Sequence, residues 1–163
     1  MHQLYTLYAR SLLNTAFRIV NNREDAEDIL QESFIKAFTQ LHQFKYQSTF
    51  GAWLKRIVIN TSIDALKKKK NTIFPPEINR HTQAFDETNN QMDSCKKKQI
   101  NKLYKALQDL PDGYRTVFSL YMLEGYDHQE IATILNIGVS SSISQLSRAK
   151  KKLRLLIDEK INI

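Results

Sequence analysis

The sequence predicts an all-α protein with two small helical domains joined by a flexible linker, the second domain containing a helix-turn-helix. Only four glycines and three prolines occur in 163 residues, which favours long helices. Apolar residues recur at helical spacing toward both ends of the chain. The polar stretch between them contains a proline pair, as linkers often do. We therefore expect domains at residues 1–70 and 98–163, with a linker at residues 71–97.

Three or more helices are predicted in the first domain, the first of them from apolar residues spaced between Leu4 and Val20. Asn22 is a favourable N-cap for a second helix. The predicted core-facing residues of that helix are Ala26, Ile29, Leu30, Phe34, Ala37, Phe38 and Leu41. Ser48 or Thr49 can cap a third helix, which continues into a run of lysines at residues 67–70. The third helix is expected to turn inward Phe50, Trp53, Leu54, Ile57, Val58 and Thr61.

Four helices are predicted in the second domain, and the last two form a helix-turn-helix. The first extends from about Gln99 to Leu110, and a second follows Pro111 and ends near Leu123. Asp127 can cap a short third helix, with Glu130 at the capping-box position. After a left-handed turn at Asn136, a longer fourth helix begins beyond Gly138. A short helix, a tight turn and a longer helix are typical of DNA-binding modules.

The fourth helix has an apolar side and a side of small hydroxyl and basic residues. Its apolar side comprises Val139, Ser142, Leu146, Ala149, Leu153 and Ile157. The opposite side comprises Ser140, Ser141, Ser144, Gln145, Ser147, Arg148, Lys151 and Lys152. Small hydroxyl residues can approach DNA closely, an arginine can read guanine with two hydrogen bonds, and lysines suit the flanking phosphates. A DNA-reading face is favoured over the alternative, a solvated helix face.

The overall charge also indicates a nucleic-acid partner. The net charge is +7, and a basic balance favours binding to a polyanion. The single cysteine, Cys95, cannot form an internal disulfide, which indicates a reducing cytoplasm. Neither a signal peptide nor an apolar run of about 20 residues is present, so we expect no membrane insertion. Scattered histidines and the lack of a phosphate loop predict no catalytic site, metal or cofactor.

One stripe of the second helix is acidic despite the basic chain. Its predicted exposed residues are Glu24, Asp28, Gln31, Glu32, Ile35 and Thr39. DNA would repel this stripe, whereas an exposed apolar residue among charges is typical of a protein-docking surface. We therefore expect a protein partner that carries arginine and lysine. The alternative is a solvated face with one isolated isoleucine.

The loop before the third helix and the start of that helix suggest a site for single-stranded DNA. Tyr46 can stack on an unpaired base. Side chains predicted to contact the backbone or base edges around it are Lys45, Gln47, Ser48, Lys55, Arg56 and Asn60. Trp53 is expected to belong to the core, because it falls in register with Leu54 and Ile57. The lysine run could also hold phosphates, although such runs are often solvated helix ends.

Two motifs in this order resemble bacterial sigma factors of the sigma-70 family, extracytoplasmic-function (ECF) group. "REDAEDILQESFIKAFTQL" and the pattern F-x-x-W-L-K-R-I-x-x-N-x-x-x-D between Phe50 and Asp64 are similar to the family's region 2. "LPDGYRTVFSLYMLEGYDHQEIATILNIGVSSSISQLSRAKKKLR" is similar to its region 4. The resemblance covers almost the whole chain. Because Met1 lies close to the first helix, the resemblance leaves open whether a few leading residues are missing.

The resemblance implies a function for each surface. Region 2 of such factors docks on core RNA polymerase, which assigns the docking role to the acidic stripe. Region 2 also melts the −10 promoter element and captures a flipped base, here in the loop from Gln43 to Thr49. Region 4 reads the −35 element, and alignment places the reading positions near Ile143, Ser144, Ser147 and Arg148. The implied partners are core RNA polymerase, promoter DNA and an anti-sigma factor.

The start of the fourth helix departs from the family pattern. Ile143 stands where a basic residue is common, and Gly138 and Val139 replace the usual Ser-Glu. These differences concern the −35 sequence preference and leave the predicted fold unchanged. Two other functions are alternatives. A stand-alone helix-turn-helix regulator leaves the acidic stripe and the aromatic loop unused, and for a nucleic-acid enzyme the sequence lacks a metal-binding carboxylate cluster.

Overall fold

The computed structural model describes residues 2–71 and 94–159. The chain divides into two compact units between Pro75 and Pro76. All regular secondary structure in the described residues is helical, which confirms the predicted fold class. Residues 72–93, the greater part of the predicted linker, lie outside the described residues.

The first unit is a three-helix bundle. Its helices are α1 (His2–Val20), α2 (Arg23–Thr39) and α3 (Phe50–Asn71), and a short 3₁₀ turn (Leu41–Gln43) follows α2. Each of the three α-helices packs against the other two. Their buried apolar residues are Leu12, Ala16, Phe17, Ile19, Val20, Ala26, Ile29, Leu30, Phe34, Ala37, Leu54, Val58, Ile59 and Ile63.

Local hydrogen bonds fix both helix starts that follow a connection in this unit. The Asn22 side chain accepts a hydrogen bond of 2.9 Å from the Asp25 amide, as predicted for the N-cap of α2. Before α3, the Thr49 hydroxyl accepts a bond of 3.3 Å from the Ala52 amide. Of the two candidate caps for α3, Thr49 therefore fills the role.

Two predicted core residues at the end of α2 are less buried than expected. Phe38 is half-buried, and Leu41 is exposed. The prediction for Leu41 is wrong because α2 ends at Thr39 and the chain continues as a 3₁₀ turn. A 3₁₀-helix has three residues per turn, whereas an α-helix has 3.6. Leu41 therefore no longer falls on the side of the chain that faces the core.

Helices α1 and α3 approach each other closely at Gly51. A Cβ atom built at this position would lie 2.7 Å from a ring carbon of Tyr8, closer than real Cβ contacts. The absence of a side chain at Gly51 therefore lets the Tyr8 ring lie against the first turn of α3. The same ring contacts Phe50, with 6.1 Å between ring centroids.

The second unit is built around its last helix. Its elements are α4 (Ser94–Gln108), α5 (Asp112–Phe118), a π-helical turn (Ser119–Leu123), α6 (His128–Leu135) and α7 (Val139–Glu159). Helix α7 packs against α4, α5 and α6. The buried apolar residues are Ala106, Leu107, Leu110, Val117, Phe118, Leu120, Ile131, Ala132, Leu146, Ala149 and Leu153. Helix α4 begins at Ser94 rather than at the predicted Gln99, and the predicted second helix is divided into α5 and the π-helical turn.

A buried arginine stabilises the connection between α4 and α5. The Arg115 guanidinium donates one hydrogen bond of 2.9 Å to the Leu110 carbonyl and another of 2.7 Å to the Asp112 carboxylate. Burial lowers the pKa of Arg115 below its ordinary value, and the hydrogen bond and charge of Asp112 offset part of that effect. Because arginine stays protonated in proteins, it supplies a buried positive donor to a carbonyl beyond the end of α4. Sequence periodicity did not indicate this role.

Candidate protein and nucleic-acid interfaces

The acidic stripe lies on the solvent side of α2. All six of its predicted residues are exposed, and the Ile35 side chain is 64% exposed. Glu32 forms an ion pair of 2.7 Å with Lys36 on the same helix. Among the described residues, the carboxylates of Glu24 and Asp28 have no ion-pair or hydrogen-bond partner. The stripe therefore combines an exposed apolar residue with unneutralised carboxylates, which suits a basic protein partner.

A groove between α2 and α3 borders the acidic stripe. Its lining residues are Val20, Asp25, Asp28, Ile29, Glu32, Lys36, Thr61, Asp64, Ala65, Leu66, Lys68 and Lys69. Across the groove Lys69 forms an ion pair with Asp25, and the Lys36 ammonium lies 3.4 Å from the Thr61 hydroxyl. Asp64 was not predicted as part of this surface. The sequence could have indicated it, because Asp64 lies one helical turn beyond Asn60 and Thr61 and therefore on the same face of α3.

The loop before α3 presents an aromatic ring to solvent. The Tyr46 side chain is 85% exposed, and its backbone has a φ of 56°. This left-handed conformation is uncommon for a residue with a large side chain and often occurs at functional sites. The Tyr46 ring lies 4.7 Å from the Phe44 ring, centroid to centroid. Phe44 in turn contacts Trp53, at 5.2 Å between centroids, so a cluster of rings supports the exposed tyrosine.

The polar residues predicted around Tyr46 are accessible to different degrees. Lys45, Gln47 and Ser48 are exposed in the loop. Arg56 and Asn60 are exposed on α3 and share one face at a spacing of four residues, whereas Lys55 is half-buried. The loop and α3 thus offer exposed donors of both charged and amide types, which suit a nucleic-acid strand.

The helix-turn-helix of the second unit has the predicted caps. Asp127 and Glu130 form a capping box at the start of α6, with bonds of 2.8 and 2.9 Å. Asn136 ends that helix with a φ of 55°. Because both ends of α6 are fixed by local bonds, the turn into α7 is tight and well defined.

Helix α7 turns nearly all the predicted reading residues to solvent. The exposed ones are Ser140, Ser141, Ile143, Ser144, Ser147, Arg148, Lys151 and Lys152. Gln145, predicted on the same side, is half-buried, and its carboxamide oxygen lies near Gly113 of α5. The Arg148 guanidinium has no partner among the described residues and is available to an acceptor such as a guanine edge.

Within residues 2–71 and 94–159, no group of three or more His, Cys, Asp or Glu side chains could hold a metal ion. No helix in the same ranges is long and apolar enough to cross a membrane.

Comparison with known proteins identifies the family. Residues 4–72 match the model of sigma-70 region 2, and residues 100–153 match that of sigma-70 region 4. ECF RNA polymerase sigma factor SigW of Bacillus subtilis (strain 168) is 29% identical over 156 residues, which cover 91% of this chain and 83% of SigW. RNA polymerase sigma factor SigV of the same organism is 30% identical over 152 residues, covering 92% and 86% of the two chains. This chain is an ECF sigma factor of the sigma-70 family.

The fold of this sigma factor is also found in a solved structure. The sigma factor RpoE of Bartonella quintana, in its co-crystal structure with the anti-sigma factor NepR, superposes with a TM-score of 0.65 at 22% identity. The similarity covers 96% of each chain. As a family member, this protein binds core RNA polymerase and promoter DNA and directs promoter-specific transcription initiation. Sigma factors are not enzymes, and the match to region 2 argues against a stand-alone helix-turn-helix regulator.

Proposed function

We propose that three surfaces of this sigma factor bind three different targets. The acidic stripe of α2 docks on core polymerase, the Tyr46 loop with the start of α3 binds the melted −10 strand, and the exposed face of α7 reads the −35 element. The observation that carries the proposal is the separation of charge: α2 has exposed carboxylates that lack a partner among the described residues, and α7 has exposed cations. DNA repels the first surface and attracts the second.

The docking surface is matched to a partner with basic and apolar side chains. Ile35 supplies apolar area, and the exposed carboxylates of Glu24 and Asp28 can pair with arginine or lysine. The polar rim around Ile35 is completed by Gln31, Glu32 and Thr39. Rim charges mainly raise the association rate, whereas a central apolar contact contributes most to affinity.

The −10 site uses a ring that is already in place. Because Phe44 and Trp53 support Tyr46, the tyrosine needs little rearrangement to stack on a flipped base. The exposed side chains of Gln47 and Ser48 can hydrogen-bond the base edge, and Lys45, Lys55 and Arg56 can bind the strand's phosphates. Asn60, on the Arg56 face of α3, can reach a neighbouring base.

Replacing Tyr46 with alanine should impair promoter opening more than binding to duplex DNA. Stacking on a base is possible only after the strands separate, and one stacked base contributes roughly 1–3 kcal/mol, or about 5–150-fold in the opening equilibrium. Permanganate reactivity of −10 thymines, together with promoter occupancy, measures the two steps separately. Tyr46→Phe is the matched control and should open promoters normally. Equal loss of occupancy and opening in Tyr46→Ala would contradict the proposal.

On α7, Arg148→Ala and Lys152→Ala should have different effects on −35 recognition. Loss of a bidentate guanine contact should reduce discrimination at one or two positions by about 1–3 kcal/mol. Loss of a phosphate contact should weaken all sequences alike and lower the salt dependence by about one ion. Affinities for a set of −35 variants at several salt concentrations test both expectations. An unchanged preference profile in Arg148→Ala would show that this residue does not read bases.

We further propose that the protein works in the cytoplasm and is regulated by an anti-sigma factor. Core polymerase and promoter DNA, the family's partners, define the compartment. The regulatory proposal draws on RpoE of Bartonella quintana, which has the same fold and was co-crystallised with NepR. A candidate anti-sigma factor should inhibit transcription by this protein in a reconstituted reaction.

Photo-crosslinking tests the division of surfaces directly. A photoreactive amino acid is placed at position 28, 46 or 144 in the reconstituted polymerase–promoter complex. Position 28 should crosslink to a polymerase subunit, position 46 to the −10 strand of the open complex, and position 144 to the −35 duplex. Crosslinking of position 28 to DNA, or of position 144 to polymerase alone, would contradict the proposal.

A further inference from the structure

A buried hydroxyl, that of Ser142, lies in the first turn of α7. Ser142 is fully buried, although its neighbours Ser141 and Ile143 are exposed reading residues. The Ser142 hydroxyl lies 2.9 Å from Nδ1 of His128, the first residue of α6. Among the described residues, the Ser142 hydroxyl forms no other hydrogen bond. A single side-chain bond therefore links the two helices of the helix-turn-helix at their N-terminal ends.

A serine inside a helix does not need such a partner. Serine hydroxyls in helices commonly bond to the carbonyl oxygen four residues earlier. Buried Ser62 in α3 does so, donating to the Val58 carbonyl at 2.8 Å. Ser142 instead forms its bond across the interface to His128. That bond depends on the position of α7 relative to α6, whereas a bond within the helix would not.

His128 is itself held in place from another side. Its ring stacks on the ring of Tyr121, with 4.5 Å between centroids and 25° between ring planes. Tyr121 belongs to the π-helical turn, and Lys150 of α7 lies 6.0 Å from the centroid of its ring. The capping box of the preceding residue, Asp127, fixes the backbone at the same point. The imidazole therefore has a defined position from which to hold α7.

We propose that His128 is a positioning residue for −35 recognition, acting through its hydrogen bond to Ser142. The bond sets the rotation of α7 about its axis, and the rotation decides which side chains reach the base edges. Side-chain tips lie about 5 Å from a helix axis, so a rotation of about 10° moves them by almost 1 Å. A shift of that size breaks a base-edge hydrogen bond. The inference rests on the proposal that α7 reads the −35 element.

Two substitutions at position 128 separate the hydrogen bond from the ring contact. His128→Asn retains a hydrogen-bonding atom near the position of Nδ1 and loses the stacking on Tyr121. His128→Phe retains the stacking and loses the bond. Ser142→Ala removes the bond from the other side and is well tolerated in a helix.

The experiment measures the relative affinities of polymerase carrying each full-length variant for a panel of −35 sequences. His128→Phe and Ser142→Ala should shift relative preference at one or more positions by about fivefold, the lower end of one base contact. The double variant should show the same profile as either single variant, because both remove one bond. His128→Asn should keep the wild-type profile.

Other outcomes would overturn the inference. If His128→Asn shifts the profile and His128→Phe does not, the ring contact positions the helix. If His128→Phe and Ser142→Ala keep the wild-type profile, or only weaken all sequences equally as their thermal stability falls, the bond has a structural role alone. Wild-type protein serves as the reference: if polymerase carrying it shows no preference among the −35 sequences, α7 does not read the element and the proposed function fails as well.

Discussion

Replacing Arg115 with leucine is expected to destabilise the second unit by about 2–4 kcal/mol. The substitution leaves the Leu110 carbonyl without its donor, and an unsatisfied buried polar group costs about 1–3 kcal/mol. The packing of a long, fully buried side chain is lost in addition. The Asp112 carboxylate adds less to the cost, because it is 42% exposed and water replaces its partner.

Hydrogen exchange followed by mass spectrometry can report this loss for the second unit alone. Peptides from α5 and α7 of Arg115→Leu should exchange faster than those of the wild type, while peptides from α1–α3 should be unaffected. Arg154→Leu is the matched control, because Arg154 is exposed on α7 and surface changes usually stay within about 0.5 kcal/mol. Equal exchange in the two variants would show that Arg115 does not stabilise the second unit.

Replacing Ile35 with aspartate should weaken binding to core polymerase by at least about 30-fold, which corresponds to about 2 kcal/mol at an interface hot spot. The new carboxylate would be desolvated among the existing carboxylates of the stripe, and the apolar contact would be lost. Folding should be preserved because the Ile35 side chain is 64% exposed. Titration of labelled protein with core polymerase measures the affinity.

Leu7→Asp is the matched control for this prediction. Leu7 lies on α1 of the same unit and is 68% exposed, so the change in charge and exposure is nearly the same. We expect its affinity for polymerase to remain close to that of the wild type. Equal weakening by both substitutions, or none by Ile35→Asp, would remove the docking role from the α2 stripe.

Features that depend on local chemistry could be predicted from the sequence. The N-caps at Asn22 and Asp127 and the left-handed turn at Asn136 follow from side chains that bond to nearby backbone. The exposure of the α2 stripe and of the α7 face follows from helical periodicity, which depends only on spacing. The two motifs that carry the family resemblance were confirmed by the matches to regions 2 and 4.

Features that depend on tertiary contacts were missed. Periodicity treats a charged residue as exposed, so it could not find Arg115, whose donors serve a carbonyl beyond α4. It also could not find the bond between His128 and Ser142, because periodicity describes one helix at a time and this bond joins two helices. The π-helical turn was missed for a related reason: its bonds, such as Glu124 amide to Ser119 carbonyl, span five residues and so extend beyond the usual helical spacing.

We propose that the two units read two separate promoter elements for one polymerase. The most direct test is transcription by core polymerase, with and without this protein, from a library randomised across the −40 to −5 region. Transcripts that depend on the protein should come from promoters enriched in two sequence blocks at a fixed separation. Arg148→Ala should change only the upstream block, and Tyr46→Ala should lower transcription without changing that block. Enrichment of a single block, or none above core polymerase alone, would contradict the account.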